Sequence, residues 1–319
     1  MKSIKIGEFE RRDIDKQVEK VLKGLGNPEP PIRLEEIRDL LKLDRQYYSA
    51  TDDSALREFV SKVKIGAKQL FMRPTLLLEV VAKANLSALW LPDRKRILID
   101  QSLPQLKHRW AETHEIAHSI TEWHKLYLHG DSTKELNQTC NETLEAEANY
   151  GAGQLLFLRD RFVLEAQCVS KTIESIRILS KNFGNTITST LWRYVEQVGT
   201  TLPMAGLVTP HPHRLPGDHD HKNPCKYFIP SPAFRTRFGT VGETEVFSKL
   251  LDYCSNAGGG ALGSDEVTLI DDNGELHIFH FETFFNRYEA LTLAYYVRKH
   301  AIIVNISGCL QERPKDVIV

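Results

Sequence analysis

The sequence predicts an α+β fold, with a mostly helical first part that contains a small β-hairpin, then a helical segment, then a mixed α/β C-terminal domain. Apolar residues recur at helical spacing through much of the first part, and this spacing favours amphipathic helices. Short apolar runs around the turn residues 92–95 and 271–274 indicate two β-hairpins. A stretch rich in Pro and His separates the helical part from the C-terminal part.

The first elements are predicted to be helices. Ile14, Val18 and Leu22 lie on one apolar stripe, which predicts an amphipathic helix over 13–26 that ends at two glycines. A stiff proline connector follows, and after it a second short helix is expected over 34–43. The 50s to the 80s also have a helical pattern, with weaker boundaries.

A β-hairpin and two long helices are expected next. The hairpin is formed by 86–91 and 96–100, and the helices cover about 105–123 and 141–158. A polar loop joins these two helices. A further helical pair is expected within 160–200, interrupted at an Asn-Phe-Gly-Asn sequence.

These elements divide the chain into four regions. We assign 1–158 to a first domain, 159–200 to a helical segment, 201–232 to a Pro- and His-rich connector, and 233–319 to a mixed α/β domain. In the last region an early helix precedes strands, and Asp-Asp-Asn-Gly at 271–274 is a strong hairpin signal. A sensor-like role for this last domain is an analogy only.

Composition excludes several classes of protein. The 319 residues suffice for about two domains, and 41% hydrophobic with 26% charged residues is typical of a soluble globular protein. The formal net charge of −1 argues against a dedicated polyanion binder. Five scattered cysteines include no C-x-x-C pair, and the N-terminus lacks an apolar signal core. We therefore expect a soluble cytoplasmic protein.

The sequence His114-Glu115-Ile116-Ala117-His118 is an H-E-x-x-H motif. Residues four apart share one face of a helix, so both imidazoles can reach the same ion. Neutral imidazole suits Zn²⁺, and Glu115 is placed to act as general base toward a metal-bound water. The alternative is a surface helix that happens to carry two histidines.

A hydrolytic zinc needs a third protein ligand, and the next long helix offers Glu142, Glu145 and Glu147. Glu145 and Asn149 are four residues apart, so Glu145 can ligate while Asn149 orients a ligand from behind. Small residues in the same helix permit a close approach to the first helix. The alternative is that these acids form a solvated helix face.

Two stretches of the sequence match the pattern of a known family. They are Arg109-Trp-Ala-Glu-Thr-His-Glu-Ile-Ala-His118 and Glu145-Ala-Glu-Ala-Asn-Tyr-Gly-Ala-Gly-Gln-Leu-Leu156. In this order and spacing they resemble the ImmA/IrrE family of zinc metallopeptidases, and the resemblance covers roughly 15–200. The resemblance implies a zincin-like metallopeptidase domain with one Zn²⁺ per chain. It implies His114, His118 and Glu145 as metal ligands and Glu115 as the catalytic acid/base. It also implies a protein substrate, a helix-turn-helix repressor whose cleavage relieves repression after stress.

The sequence departs from the family pattern at two places. Gly151 stands where the family has Phe, and Phe157-Leu158 stands where it has Met-Pro. We expect these positions to affect packing and the helix end, so the departures bear on the shape of the substrate pocket. The zinc ligands themselves match the pattern.

Two further features have competing interpretations. Residues 176–195 resemble a helix-turn-helix that would present Thr188, Ser189 and Arg193. The mixture of acidic and basic residues in this segment argues against DNA binding. It favours a structural helical bundle or a docking surface for a repressor. Four histidines in the connector suggest a second metal site, although the surrounding prolines favour an exposed loop. These histidines are His211, His213, His219 and His221.

Together these features predict a zinc-dependent endopeptidase that regulates transcription. The alternative is a non-catalytic zinc-containing regulator that binds a repressor or DNA. An oxyanion donor is expected, and His124, Tyr127 and His129 are near in sequence without a basis for choosing among them. A strand of the hairpin over 86–100 is expected to pair with an extended substrate beside the metal.

Overall fold

The computed structural model describes residues 6–48, 88–91, 95–124 and 138–300. The chain divides into two compact units, Met1–Val198 and Gly199–Val319, and the described residues form an α+β fold. The helical pattern of the 50s to the 80s lies outside these residues. No helix within the described ranges combines the length and apolarity needed to cross a membrane.

Two helices open the first unit, α1 (Glu8–Gly24) and α2 (Leu34–Leu41). The predicted apolar stripe of α1 is buried, from Ile14 to Leu22. The helix begins at Glu8, earlier than the predicted position 13. Acidic side chains in its first turn interact favourably with the positive end of the helix dipole.

A three-stranded sheet follows, with β1 (Asp44–Tyr48), β2 (Ala88–Leu91) and β3 (Arg96–Asp100) in the order β1-β3-β2. The predicted hairpin is confirmed, because β2 and β3 pair antiparallel. The sequence analysis missed β1, which pairs parallel to β3. Among the described strands, β2 therefore has one free edge.

The two long predicted helices are α3 (Gln105–Ile120) and α4 (Gln138–Leu156), and they pack closely together. Ala117 of α3 lies in a buried cluster with Ala148 and Ala152 of α4. A Cβ placed on Gly151 would lie 3.1 Å from the Cβ of Ala117. The glycine therefore permits a helix contact that a Phe at this position would prevent.

Three helices, rather than a pair, complete the first unit. They are α5 (Asp160–Gln167), α6 (Ile173–Phe183) and α7 (Ile187–Val198). The predicted interruption is confirmed at Gly184, whose φ of 65° ends α6. Arg193 is buried and donates to Gln154, so the expectation that Arg193 faces outward from a DNA-reading helix is wrong.

The described residues of the second unit form a five-stranded antiparallel sheet in the order β5-β4-β8-β7-β6, together with two helices. Its core contains the buried rings of Phe234, Phe238, Phe279 and Phe281. The predicted hairpin at 271–274 is confirmed between β6 and β7. The elements are β4 (Met204–Thr209), β5 (Tyr227–Pro230), α8 (Pro232–Arg237), α9 (Glu243–Tyr253), β6 (Gly260–Ile270), β7 (Leu276–Phe285) and β8 (Ala290–Lys299).

The expectation of a connector over 201–232 is wrong, because β4 and β5 lie in this stretch. All six residues of β4 are buried between its two neighbouring strands, so the segment is part of the core. Two of the histidines bond to main-chain carbonyls, His211 to that of Ala257 and His213 to that of Cys254. These bonds fix the loop between β4 and β5. Within the described ranges, none of the four connector histidines belongs to a three-ligand group.

Candidate metal centre

Helices α3 and α4 bring together three side chains of the kind that bind metal ions, His114, His118 and Glu145. The Nε2 atoms of the two histidines lie 3.1 Å apart. One carboxylate oxygen of Glu145 lies 3.1 Å from Nε2 of His114, and the other lies 3.6 Å from Nε2 of His118. The predicted i, i+4 spacing thus places both imidazoles against the carboxylate.

These separations fit a tetrahedral zinc site. Zinc binds imidazole nitrogen at about 2.0–2.1 Å, and tetrahedral geometry then separates neighbouring ligand atoms by about 3.3–3.4 Å. The three observed separations of 3.1, 3.1 and 3.6 Å bracket that value. Two imidazoles and one carboxylate leave a fourth position for water or substrate, which is the donor set of a hydrolytic site.

The predicted role of Asn149 has a direct counterpart in the structure. Nδ1 of His114 lies 3.1 Å from Oδ1 of Asn149, and because an amide oxygen only accepts, the ring donates from Nδ1. Nδ1 is thus engaged by Asn149, and Nε2 of His114 is the ring nitrogen that is left to face a metal. Asn149 therefore orients His114 from α4, the helix that also carries Glu145.

The local charges favour an ionised Glu145. Hydrogen bonds from His114 and His118 hold the pKa of Glu145 well below its ordinary value. Burial acts to lower the pKa of His114, yet the hydrogen bond to Glu145 and the charge of Glu115 raise it overall. Glu145 is also the open side of the cluster, since its side chain is 61% exposed while that of His118 is 7% exposed.

Glu115 is buried and does not belong to the three-ligand group. Its carboxyl accepts a hydrogen bond from the backbone N–H of Trp90, on β2. Burial raises the pKa of Glu115, against the lowering effect of the two neighbouring histidines. The edge of β2 that pairs with none of the described strands therefore runs beside the residue predicted as the general base.

Behind His118 lies a polar pair that the sequence analysis did not identify. Nδ1 of His118 is 2.8 Å from Nδ1 of His124, and Nε2 of His124 is 2.8 Å from Oε2 of Glu147. Trp123 donates to the same Oε2 at 2.6 Å. Burial lowers the pKa of His124.

This arrangement corrects two expectations. Glu147 is buried, so it is neither part of a solvated face nor a member of the ligand group. His124 lies on the Nδ1 side of His118, away from Nε2, and is therefore not placed as an oxyanion donor. Glu142 is exposed, while Tyr127 and His129 lie outside the described residues. No sequence signal connects His124 to Glu147, because their contact depends on how the two helices meet.

A second group of ligand-type side chains, Asp271, Glu275 and His277, lies at the β6–β7 hairpin. Arg237 contacts both Asp271 and His277, and a guanidinium beside these atoms disfavours a cation. Oδ1 of Asp271 also accepts the backbone N–H groups of Asn273 and Glu275. The group is therefore better explained as the hydrogen-bonded support of the hairpin.

Comparisons with known proteins give little on function. No family model matches the sequence, and no curated protein matches it. A solved structure described as a Mycobacterium tuberculosis transcriptional regulator aligns with 94% of this chain and 94% of its own chain. The identity is 12% and the TM-score 0.48, a likeness too slight to bear on function.

Proposed function

We propose that this chain is a zinc-dependent endopeptidase of the ImmA/IrrE type that cleaves a helix-turn-helix repressor in the cytoplasm and so relieves repression after stress. One observation carries the proposal. The imidazoles of His114 and His118 and the carboxylate of Glu145 converge at tetrahedral spacing, with the buried Glu115 beside them. In this proposal the first unit is zincin-like.

His114, His118 and Glu145 would hold a zinc ion, which would supply a Lewis acid to polarise a carbonyl and would lower the pKa of a bound water toward about 7. Glu115 holds its carboxyl next to the ligands without joining them, which suits a group that takes a proton from water. The same carboxyl then delivers the proton to the leaving amine. Asn149 keeps His114 in the tautomer that can ligate.

The small sheet provides a way to hold an extended substrate. The N–H of Trp90 points to Glu115, so the edge of β2 that pairs with none of the described strands faces the cluster. A peptide that pairs with this edge would place its main chain beside the ligand side chains. Such pairing needs free main-chain N–H and C=O groups, so the cleavage segment of the substrate must be locally unfolded. Proline at alternate positions beside the scissile bond should then block cleavage, because it removes the N–H needed for pairing. Cleavage that survives proline at every flanking position would contradict this mode of binding.

Metal content tests the ligand assignment. The wild-type chain, prepared in metal-free buffer, should retain one zinc by elemental analysis, and His118→Ala and Glu145→Ala should lose most of it. Glu142→Ala is the matched control, since Glu142 is an exposed acid of the same helix. Full zinc retention by a His114→Ala/His118→Ala double variant would contradict the site.

The peptidase activity itself is tested with Glu115→Gln, which keeps the ligands and removes the base. Host extracts incubated with wild-type protein should acquire new peptide N-termini, including one in a helix-turn-helix repressor. The Glu115→Gln protein should bind zinc and generate none of them. Identical N-termini from both proteins would exclude catalysis by this site and favour a non-catalytic regulator.

A further inference from the structure

The support behind His118 differs from the support behind His114. His114 donates from Nδ1 directly to a side chain of α4, over 3.1 Å to Asn149. His118 reaches α4 through an intermediate ring, with 2.8 Å from His118 to His124 and 2.8 Å from His124 to Glu147. Both members of this second path are buried, with 0% exposure for His124 and 3% for Glu147.

Hydrogen-bond chemistry determines where the protons of this path lie. A carboxylate oxygen only accepts, so Glu147 accepts from Trp123 Nε1 and from Nε2 of His124. A neutral His124 with its proton on Nε2 has a lone pair on Nδ1. The 2.8 Å contact between the two Nδ1 atoms then requires the proton to be on His118. This arrangement satisfies the contacts of the path and leaves Nε2 of His118, the atom that faces Glu145, as the ring nitrogen available to a metal.

We infer that Glu147, acting through His124, is a positioning residue that holds His118 in the tautomer and orientation required for metal binding. The inference rests on the proposed metal site and assigns a role to a carboxylate outside the ligand group. Ligand histidines commonly donate to a carboxylate or carbonyl, and loss of that partner lowers metal affinity. Here a second histidine lies between the carboxylate and the ligand.

A packing role alone explains this path less well. Burying a carboxylate is costly, and an apolar side chain of similar size would fill the same space without that cost. The carboxylate is also not placed to bind a metal ion itself, because it does not belong to the ligand group. What Glu147 supplies is an acceptor of fixed direction, which an apolar side chain cannot supply.

The direct test reads the tautomer in the metal-free protein. Nitrogen-15 NMR of histidine-labelled protein distinguishes protonated from unprotonated ring nitrogens, and His118→Ala identifies the His118 signals among the 12 histidines. We expect wild-type His118 to be protonated at Nδ1, and Glu147→Gln to shift it toward a mixture of tautomers. A His118 unprotonated at Nδ1 in the wild type would overturn the inference.

The second test measures metal binding. Zinc affinity by chelator competition should fall about 10–100-fold in Glu147→Gln and His124→Leu, and the visible spectrum of the Co²⁺ form should change. His124→Asn should recover much of the affinity, because its amide oxygen can accept near the position of Nδ1. Glu142→Gln, an exposed acid of the same helix, should match the wild type in both measurements.

The outcomes separate this inference from the proposed function. Wild-type protein that binds neither Zn²⁺ nor Co²⁺ would overturn the proposed function, and the tautomer measurement would still decide whether Glu147 controls His118. Wild-type binding with unchanged affinity and Co²⁺ spectrum in Glu147→Gln and in a folded His124→Leu would overturn the inference alone. Tryptophan fluorescence checks the fold of each variant, and Glu147→Gln gives the decision if His124→Leu does not fold.

Discussion

The carboxylate of Glu112 joins three elements of the first unit. Arg38 of α2 and Arg45 of β1 each donate a hydrogen bond to one of its two oxygens. The Glu112 side chain is 4% exposed, that of Arg38 is 11% exposed and that of Arg45 is 28% exposed. Glu112→Leu would leave the buried guanidinium of Arg38 with the exposed Glu35, 4.0 Å away, in place of its buried anion. Removing one partner of a buried ion pair costs about 3–5 kcal/mol, and we expect a loss of that size in the free energy of unfolding.

The double variant Arg38→Met/Glu112→Leu separates charge from packing. Apolar side chains of similar volume replace a buried ion pair with little loss, because no uncompensated charge is left. Arg45 is partly exposed and can turn toward water. We therefore expect the double variant to recover about 2–3 kcal/mol relative to Glu112→Leu.

Urea unfolding followed by tryptophan fluorescence measures this effect in the first unit alone. All four tryptophans, at positions 90, 110, 123 and 192, precede the boundary at Val198. With a urea m-value near 3 kcal/mol/M, the expected loss lowers the midpoint by about 1–2 M. Glu8→Gln is the control, because its pair with Arg12 is exposed and should change stability by less than about 1 kcal/mol. A Glu112→Leu loss below about 1 kcal/mol, or a double variant as unstable as the single one, would refute the reasoning.

Three further predictions follow from other contacts. Gly151→Val should lower the free energy of unfolding in urea by about 1–3 kcal/mol, because the larger side chain overpacks α4 against α3. Gly153→Ala should raise it by about 0.5–1 kcal/mol, because a Cβ at this position meets nothing within 4 Å, and equal effects of the two variants would contradict this reasoning. Burial acts to raise the pKa of Asp271, but hydrogen bonds lower it from 3.8 to about 2. The ionised carboxylate therefore stabilises the folded state above about pH 4, and this contribution is lost as the pH falls through about 2. Asp271→Asn should therefore flatten the acid-induced fall in Tm of the second unit, and an unchanged profile would count against it. Burial raises the pKa of Cys225 to about 12, so iodoacetamide should label the exposed Cys168 at least about tenfold faster near pH 8, as mapped by mass spectrometry.

Helical periodicity predicted much of the candidate site. His114 and His118 share a face of α3, and Glu145 and Asn149 share a face of α4, as a spacing of four residues requires. The structure brings all four side chains together. Periodicity is local, however, and it left open whether Glu147 is a ligand candidate or part of a solvated helix face. Glu147 lies two residues from Glu145, on another face of the helix, and only the packing of α3 against α4 shows that this face is buried.

The missed strands have a different cause. Residues of β1 are mostly polar, and the strand is stabilised by pairing with β3, which lies about 50 residues away in the chain. For β4, the neighbouring prolines and histidines hid a short apolar run within a region that composition assigned to a connector. In both cases non-local pairing decides the structure, and a pattern read over a few neighbouring residues does not contain it.

In the proposed metal site, one ion would be shared by two helices, and this would have a thermodynamic consequence for the whole first unit. His114 and His118 lie on α3 and Glu145 on α4, so these three groups meet only in the folded chain. An ion that binds them stabilises the native state by mass action, by about 4 kcal/mol when its free concentration is 1,000 times its Kd. Changes of even 1–2 kcal/mol alter protein abundance in cells several-fold through degradation of unfolded chains. The supply of metal ions would then govern how many copies of this protein a cell retains, in addition to how many are active.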